Sequence, residues 1–69
     1  MADPELTFLT NSEYAAMRRI SVESARTERF RGLGPKYIRT GTTDRGRVLY
    51  RLADIVEWLE SRTVSPGGA

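Results

Sequence analysis

The fold is decided by one stretch of the sequence, TNSEYAAMRRISVESARTERF, which covers residues 10–30. Thr10 and Glu13 have the S/T-x-x-E spacing of a capping box, in which each side chain satisfies a free backbone amide at the start of a helix. Tyr14 and Met17 then form an apolar stripe at helical spacing. Ser21 follows as a second candidate helix cap. The stretch therefore predicts a helix that ends at 18 or 19, a sharp turn, and a second helix over 22–31.

The predicted second helix is polar over most of its surface. Its clear inward residue is Ala25, with Phe30 near its end. A helix of this kind buries little against its own fold, so it is either poorly stable or reserved for another surface. The segment Gly32-Leu33-Gly34-Pro35 ends it, with glycine at the cap and proline just beyond.

After residue 35 the apolar period changes from helical to alternating. Lys36–Thr40 and Arg47–Arg51 are predicted as two strands, and the six residues 41–46 join them as a hairpin loop. Leu52–Arg62 is predicted as the last helix, while residues 6–9 form a weak extended segment.

This order of elements predicts an α+β fold, a small winged helix-turn-helix with a two-stranded β-hairpin wing and a C-terminal helix. Residues 1–6 are predicted as a disordered leader, 7–62 as the folded domain and 63–69 as a flexible tail. The apolar pattern also predicts a core, to which Tyr37 and Tyr50 are expected to add: Leu9, Tyr14, Met17, Ile20, Ala25, Ile38, Leu49, Ile55, Trp58 and Leu59.

The composition narrows the class of function. The chain has 69 residues and neither cysteine nor histidine, so disulfides, thiolate nucleophiles and the usual zinc ligands are excluded. Residues 18–51 carry ten basic and three acidic side chains, while the segments on either side are net acidic. A basic middle of this kind is typical of a protein that binds a polyanion, although the same arginines would also serve as solvated surface. We expect no cofactor, no membrane segment, no enzymatic activity and a cytoplasmic location.

Two segments in combination resemble a known family. Gly32-Leu33-Gly34-Pro35-Lys36-Tyr37-Ile38 follows the second helix, and Tyr50-Arg51 with Asp54, Ile55, Trp58 and Leu59 follows the wing. With the capped helices before them, they resemble the excisionase branch of the MerR superfamily, including its AlpA-type regulators, over about residues 7–62. Glu28 departs from the pattern, because a tryptophan or another large residue usually packs there under the second helix. We therefore expect the second helix to be loosely held.

The resemblance implies a small DNA-binding protein, an excisionase that binds and bends attachment-site DNA so that a separate integrase excises a phage or integrative element. Double-stranded DNA and a cognate integrase are then the expected partners, with possible cooperative self-association on DNA. A transcriptional regulator of the same fold is the alternative, and a protein-interaction module is a third reading. The neighbouring gene would separate the first two.

The second helix is expected to enter the major groove, the groove wide enough for a helix. The Glu23 carboxylate would accept a hydrogen bond from the amino group of a cytosine. The alternative is that its negative charge, in the first turn of the helix, stabilises the helix dipole. The predicted hairpin tip is a minor-groove probe, with Arg45 as its centre and a plain exposed loop as the alternative. The candidate DNA contacts are Glu23, Ser24, Arg26, Thr27, Arg29 and Arg31 in the second helix, Arg18 and Arg19 at the end of the first, and Lys36, Arg39, Thr42, Thr43, Arg45 and Arg47 around the wing.

Overall fold

The computed structural model describes residues 3–41 and 47–66. Within these residues the chain is a small α+β domain with three α-helices and a three-stranded antiparallel sheet. The elements, in chain order, are a 3-10 turn at Pro4–Leu6, β1 at Phe8–Thr10, α1 at Asn11–Arg18, α2 at Val22–Phe30, β2 at Ile38–Arg39, β3 at Val48–Arg51 and α3 at Leu52–Ser61.

Of the residues 1–6 that were predicted as a disordered leader, the structure describes residues 3–6, which include the 3-10 turn at Pro4–Leu6. The Asp3 side chain accepts a hydrogen bond from the Glu5 amide at 2.9 Å and begins the 3-10 turn. The weak extended segment that follows becomes β1, which pairs with β3 so that Leu9 lies opposite Tyr50. The strand order is β1-β3-β2, so the predicted hairpin forms two strands of a three-stranded sheet. The carbonyl of Thr7 also accepts from the Leu52 amide at 2.8 Å, which satisfies a free donor at the start of α3.

The predicted helix ends are confirmed at both caps. The Thr10 amide donates to Glu13 Oε1 at 2.8 Å and the Glu13 amide donates to Thr10 Oγ1 at 3.2 Å, which completes the capping box. Ser21 Oγ accepts from the Ser24 amide at 3.0 Å and begins α2. Gly32, at φ 73°, ends α2 in the left-handed conformation expected of a terminal glycine.

The turn between α1 and α2 uses a less usual residue. Arg19 has a φ of 58°. Among the residues that the structure describes, no other residue except glycine has a positive φ. Its amide donates to the Ala16 carbonyl, and the Ile20 amide donates to the Ala15 carbonyl. These bonds close the end of α1 in a Schellman motif, whose left-handed position normally holds glycine.

The core is thin. Tyr14, Ala15, Ala25, Tyr50 and Ile55 are buried, and Leu9, Ile20 and Val48 pack against them. Burial is therefore confirmed for Tyr14, Ala25, Tyr50 and Ile55, while Ile38, Leu49 and Trp58 are half-buried.

Three members of the predicted core lie at the surface. Met17, Tyr37 and Leu59 are each about two-fifths exposed. For Met17 the reason is rotation around the helix. The buried residues of α1 are Tyr14 and Ala15, and Met17 projects about 110° away from the direction midway between them.

None of the helices in residues 3–41 and 47–66 combines the length and the apolar character that a membrane crossing requires.

The left-handed backbone of Arg19 generates a prediction about stability. Because a side chain in this conformation costs roughly 1–2 kcal/mol, Arg19→Gly should raise the free energy of unfolding by about 0.5–1 kcal/mol after the added chain entropy of glycine is subtracted. Urea unfolding followed by circular dichroism measures the change. Arg31→Gly is the matched control. Arg31 is the C-cap residue of α2 and has a φ of −88°, which any residue adopts, so glycine there relieves no strain and should lower stability through its added chain entropy. A loss of stability in both variants would contradict the account of the turn.

Candidate nucleic-acid interface

Two stacked tyrosines stand at the centre of the domain. The rings of Tyr14 in α1 and Tyr50 in β3 lie 4.0 Å apart between centroids and 21° from parallel. Both side chains are buried, and burial raises the pKa of Tyr14 to about 12 and that of Tyr50 above its ordinary value. Both hydroxyls therefore stay protonated and each needs a polar partner. Two adjacent residues of α2 supply these partners.

Glu28 reaches the first hydroxyl. Its Oε1 accepts a hydrogen bond from the Tyr14 hydroxyl at 3.1 Å and forms an ion pair with the half-buried guanidinium of Arg18. Arg18 also donates to the Tyr14 hydroxyl and lies 4.7 Å from the centre of the Trp58 ring. Glu28 therefore bonds α2 to α1 through polar contacts, whereas the sequence led us to expect a loosely held helix.

Arg29 reaches the second hydroxyl. Its guanidinium donates to the Tyr50 hydroxyl at 3.0 Å and to the side-chain carbonyl of Asn11 at the start of α1. Arg29 and Arg18 were both predicted as DNA contacts. In the structure both guanidinium groups are half-buried, and their bonds join α1, α2 and β3.

The opposite face of α2 is exposed. Ala25, Glu28 and Arg29 point inward, and the helical period places Glu23 and Thr27 on the other side. The exposed candidates of this face, which we call the outer face of α2, are Glu23, Ser24, Arg26, Thr27 and Arg31. Ser24 also accepts from the Ser21 hydroxyl at 2.9 Å, so part of its bonding capacity serves the cap.

Phe30 is the last residue of α2 and lies on its exposed side. Its side chain is 92% exposed. At 100° of rotation per residue, Phe30 lies within about 20° of Glu23 around the helix axis and far from Ala25. The sequence therefore contains the signal for this exposure, because a helical projection places Phe30 on the side away from the buried Ala25.

The remaining candidate DNA contacts lie in the turn before α2 and in the hairpin that follows α2 in the chain. Arg19 is exposed in the turn before the helix. Lys36, Arg39 and Arg47 are exposed at the base of the β2–β3 hairpin, where the Thr40 amide donates to the Arg47 carbonyl at 2.9 Å. Thr42, Thr43 and Arg45, the predicted hairpin tip, lie outside the described residues.

Within residues 3–41 and 47–66, ion pairs join Arg18 to Glu28 and Arg51 to Glu5. Neither pair includes Arg19, Arg26 or Arg31. The exposed guanidinium groups of Arg19, Arg26 and Arg31 are therefore available to an external anion.

Comparison of the chain with family models, with curated proteins and with solved structures gives no match in any of the three.

The position of Glu28 generates a prediction about the attachment of α2. Glu28→Ala removes the acceptor of the buried Tyr14 hydroxyl and of the half-buried Arg18 guanidinium, so the free energy of unfolding should fall by about 1–3 kcal/mol. Thermal and urea unfolding measure the loss. Glu60→Ala, which removes an exposed carboxylate from α3, is the control and should change stability by less than about 0.5 kcal/mol. Equal effects in the two variants would show that the bonds of Glu28 do not hold the helix.

Proposed function

We propose that this chain is a DNA-binding protein of winged helix-turn-helix architecture that inserts α2 into the major groove of duplex DNA. The observation that carries the proposal is the division of α2 into two faces. The inner face is bonded to α1 and β3 through Glu28 and Arg29, and the outer face presents Glu23, Arg26 and Thr27 to solvent. An α-helix of this kind is bonded to the rest of the domain on one face and exposes polar side chains on the other. The major groove is wide enough to admit such a helix, and its base edges offer hydrogen-bond donors and acceptors to those side chains.

The distribution of charge supports the same proposal. The basic middle of the chain places exposed cations before α2 at Arg19, on α2 at Arg26 and Arg31, and after it at Lys36 and Arg47. Exposed cations on a helix and in the segments that flank it in the chain suit contacts with phosphate oxygens. The planar donor set of arginine suits phosphate oxygens and guanine edges.

Arg19 supports a contact of this kind in a second way. An arginine occupies a left-handed position in which glycine costs less, and its side chain is exposed rather than packed. Strained residues of this sort are common at functional sites. We infer that the side chain of Arg19 is retained for a phosphate contact.

Binding should depend steeply on salt. If roughly five phosphates are neutralised, a plot of log K against log[salt] should have a slope of about −4 to −5. Arg31→Ala removes one such contact, so the slope should become shallower by about 1 and all duplex sequences should bind more weakly alike. Fluorescence anisotropy with a labelled duplex at several salt concentrations measures both effects.

Arg62→Ala is the control for that titration. Arg62 lies at the end of α3, outside the basic middle, and its guanidinium is 5.1 Å from the centre of the Trp58 ring. The variant should keep the slope of the unmodified protein. A flat salt dependence for the unmodified protein would exclude nucleic acid as the ligand.

Within this class we propose an excisionase, which bends attachment-site DNA for a cognate integrase. The support is the resemblance of residues 7–62 to that family, together with a chain of 7.8 kDa that offers one reading helix and one hairpin. A domain of this size covers little DNA, so several copies on adjacent sites would add their bends at a cost of a few kcal/mol.

The architectural role is tested with probes that carry one or three tandem copies of a site selected from random duplexes. Three copies should be occupied cooperatively, and the complex should migrate more slowly when the sites lie at the middle of the probe than at its end. Independent occupancy with no effect of position would favour the alternative, a transcriptional regulator of the same fold.

A further inference from the structure

We propose that Phe30 determines part of the sequence preference of this protein by contacting the 5-methyl group of a thymine in the major groove. The proposal rests on the proposed function, in which α2 enters that groove. It adds an apolar contact to a surface that otherwise offers hydrogen bonds and charge.

The exposure of Phe30 is the first observation. Its side chain is 92% exposed, against 46% for Val22, the other exposed apolar residue of α2. Burial of a phenylalanine side chain stabilises a fold strongly, and this fold has a thin core. The residue contributes almost none of that stabilisation to its own domain, so its aromatic ring is free to meet a ligand.

The direction of the side chain is the second observation. Phe30 lies within about 20° of Glu23 and about 60° of Thr27 around the helix axis, so the three share the outer face of α2. Seven residues separate Glu23 from Phe30, which corresponds to roughly 10 Å of helix, or about three base pairs. Glu23 and Phe30 can therefore contact different base pairs of the same site.

The orientation of this face is set by the residues next to Phe30. Glu28 and Arg29 bond to the hydroxyls of Tyr14 and Tyr50, which prevents α2 from rotating about its axis. The backbone that carries Phe30 is therefore held, although its side chain is exposed. Such preorganisation is what a specific contact requires.

The charges around Phe30 indicate which apolar group it meets. Arg31 follows it directly and Arg26 lies one turn before it, and both are exposed. An aromatic ring between two cations does not suit an apolar protein surface, because docking there would bury both charges without counterions. It does suit a groove bordered by phosphates, and the 5-methyl group of thymine is the apolar group on the floor of the major groove.

The test removes that methyl group and nothing else. A preferred site is first selected from random duplexes with the unmodified protein, and each thymine is then replaced singly by deoxyuridine. The unmodified protein should lose about fourfold in affinity at one position, the effect expected for a single methyl group. Phe30→Ala should bind the original site more weakly and should show no difference between thymine and deoxyuridine at that position.

Val22→Ala is the matched control, because Val22 is an exposed apolar residue of the same helix that lies about 100° away from Glu23 in direction. It should keep the full response to deoxyuridine. Circular dichroism melts of all three proteins should have closely similar midpoints, since Phe30 and Val22 are both exposed.

Three results would overturn the proposal. Tight, salt-dependent binding of the selected site with no response to deoxyuridine at any position would leave DNA binding intact and remove the role of Phe30. A response that persists in Phe30→Ala would assign the methyl contact to another residue. A dimer of the unmodified protein in sedimentation that Phe30→Ala dissociates, with the deoxyuridine response unchanged, would make the residue part of a protein interface. Failure to bind any duplex would instead refute the proposed function itself.

Discussion

The structure depends on one interaction, the stack of Tyr14 on Tyr50. The two rings bring α1 into contact with β3, and their hydroxyls receive the two charged residues of α2 that lie next to each other, Glu28 and Arg29. Aromatic stacking adds about 0.5–1.5 kcal/mol beyond the burial of the rings. The larger consequence is geometric, because one pair of side chains positions three elements.

This arrangement explains how a polar helix is held in so small a domain. Ala25 is the buried apolar residue that α2 adds to the core, and the rest of its inner face consists of polar groups that bond to buried tyrosines. Hydrogen bonds that involve charged groups contribute roughly 1.5–3 kcal/mol each, so they offset the missing apolar area. They are also directional, and they set the rotation of α2 more narrowly than apolar packing would. The outer face is consequently presented in one orientation.

The same interaction divides the arginines into two groups. Arg18 and Arg29 are drawn inward, where Glu28, Asn11 and aromatic rings surround them. Arg19, Arg26 and Arg31 are left exposed by the same helix geometry. The sequence alone does not distinguish these five arginines, because nothing next to an arginine in the chain indicates which distant side chain it contacts. A contact made 10 to 21 positions away in the chain decides between a structural and a surface role.

The sequence by itself determined the features that depend on neighbouring residues. The capping box of Thr10 and Glu13, the cap at Ser21 and the stop at Gly32 were readable because each bond spans at most five residues. The tertiary structure alone decided the pairing of β1 with β3 and the inward turn of Arg18 and Arg29. Each of these depends on which distant segment packs beside a residue. Local propensity and spacing do not carry that information, since the free energy that selects the partner arises only when the chain closes on itself.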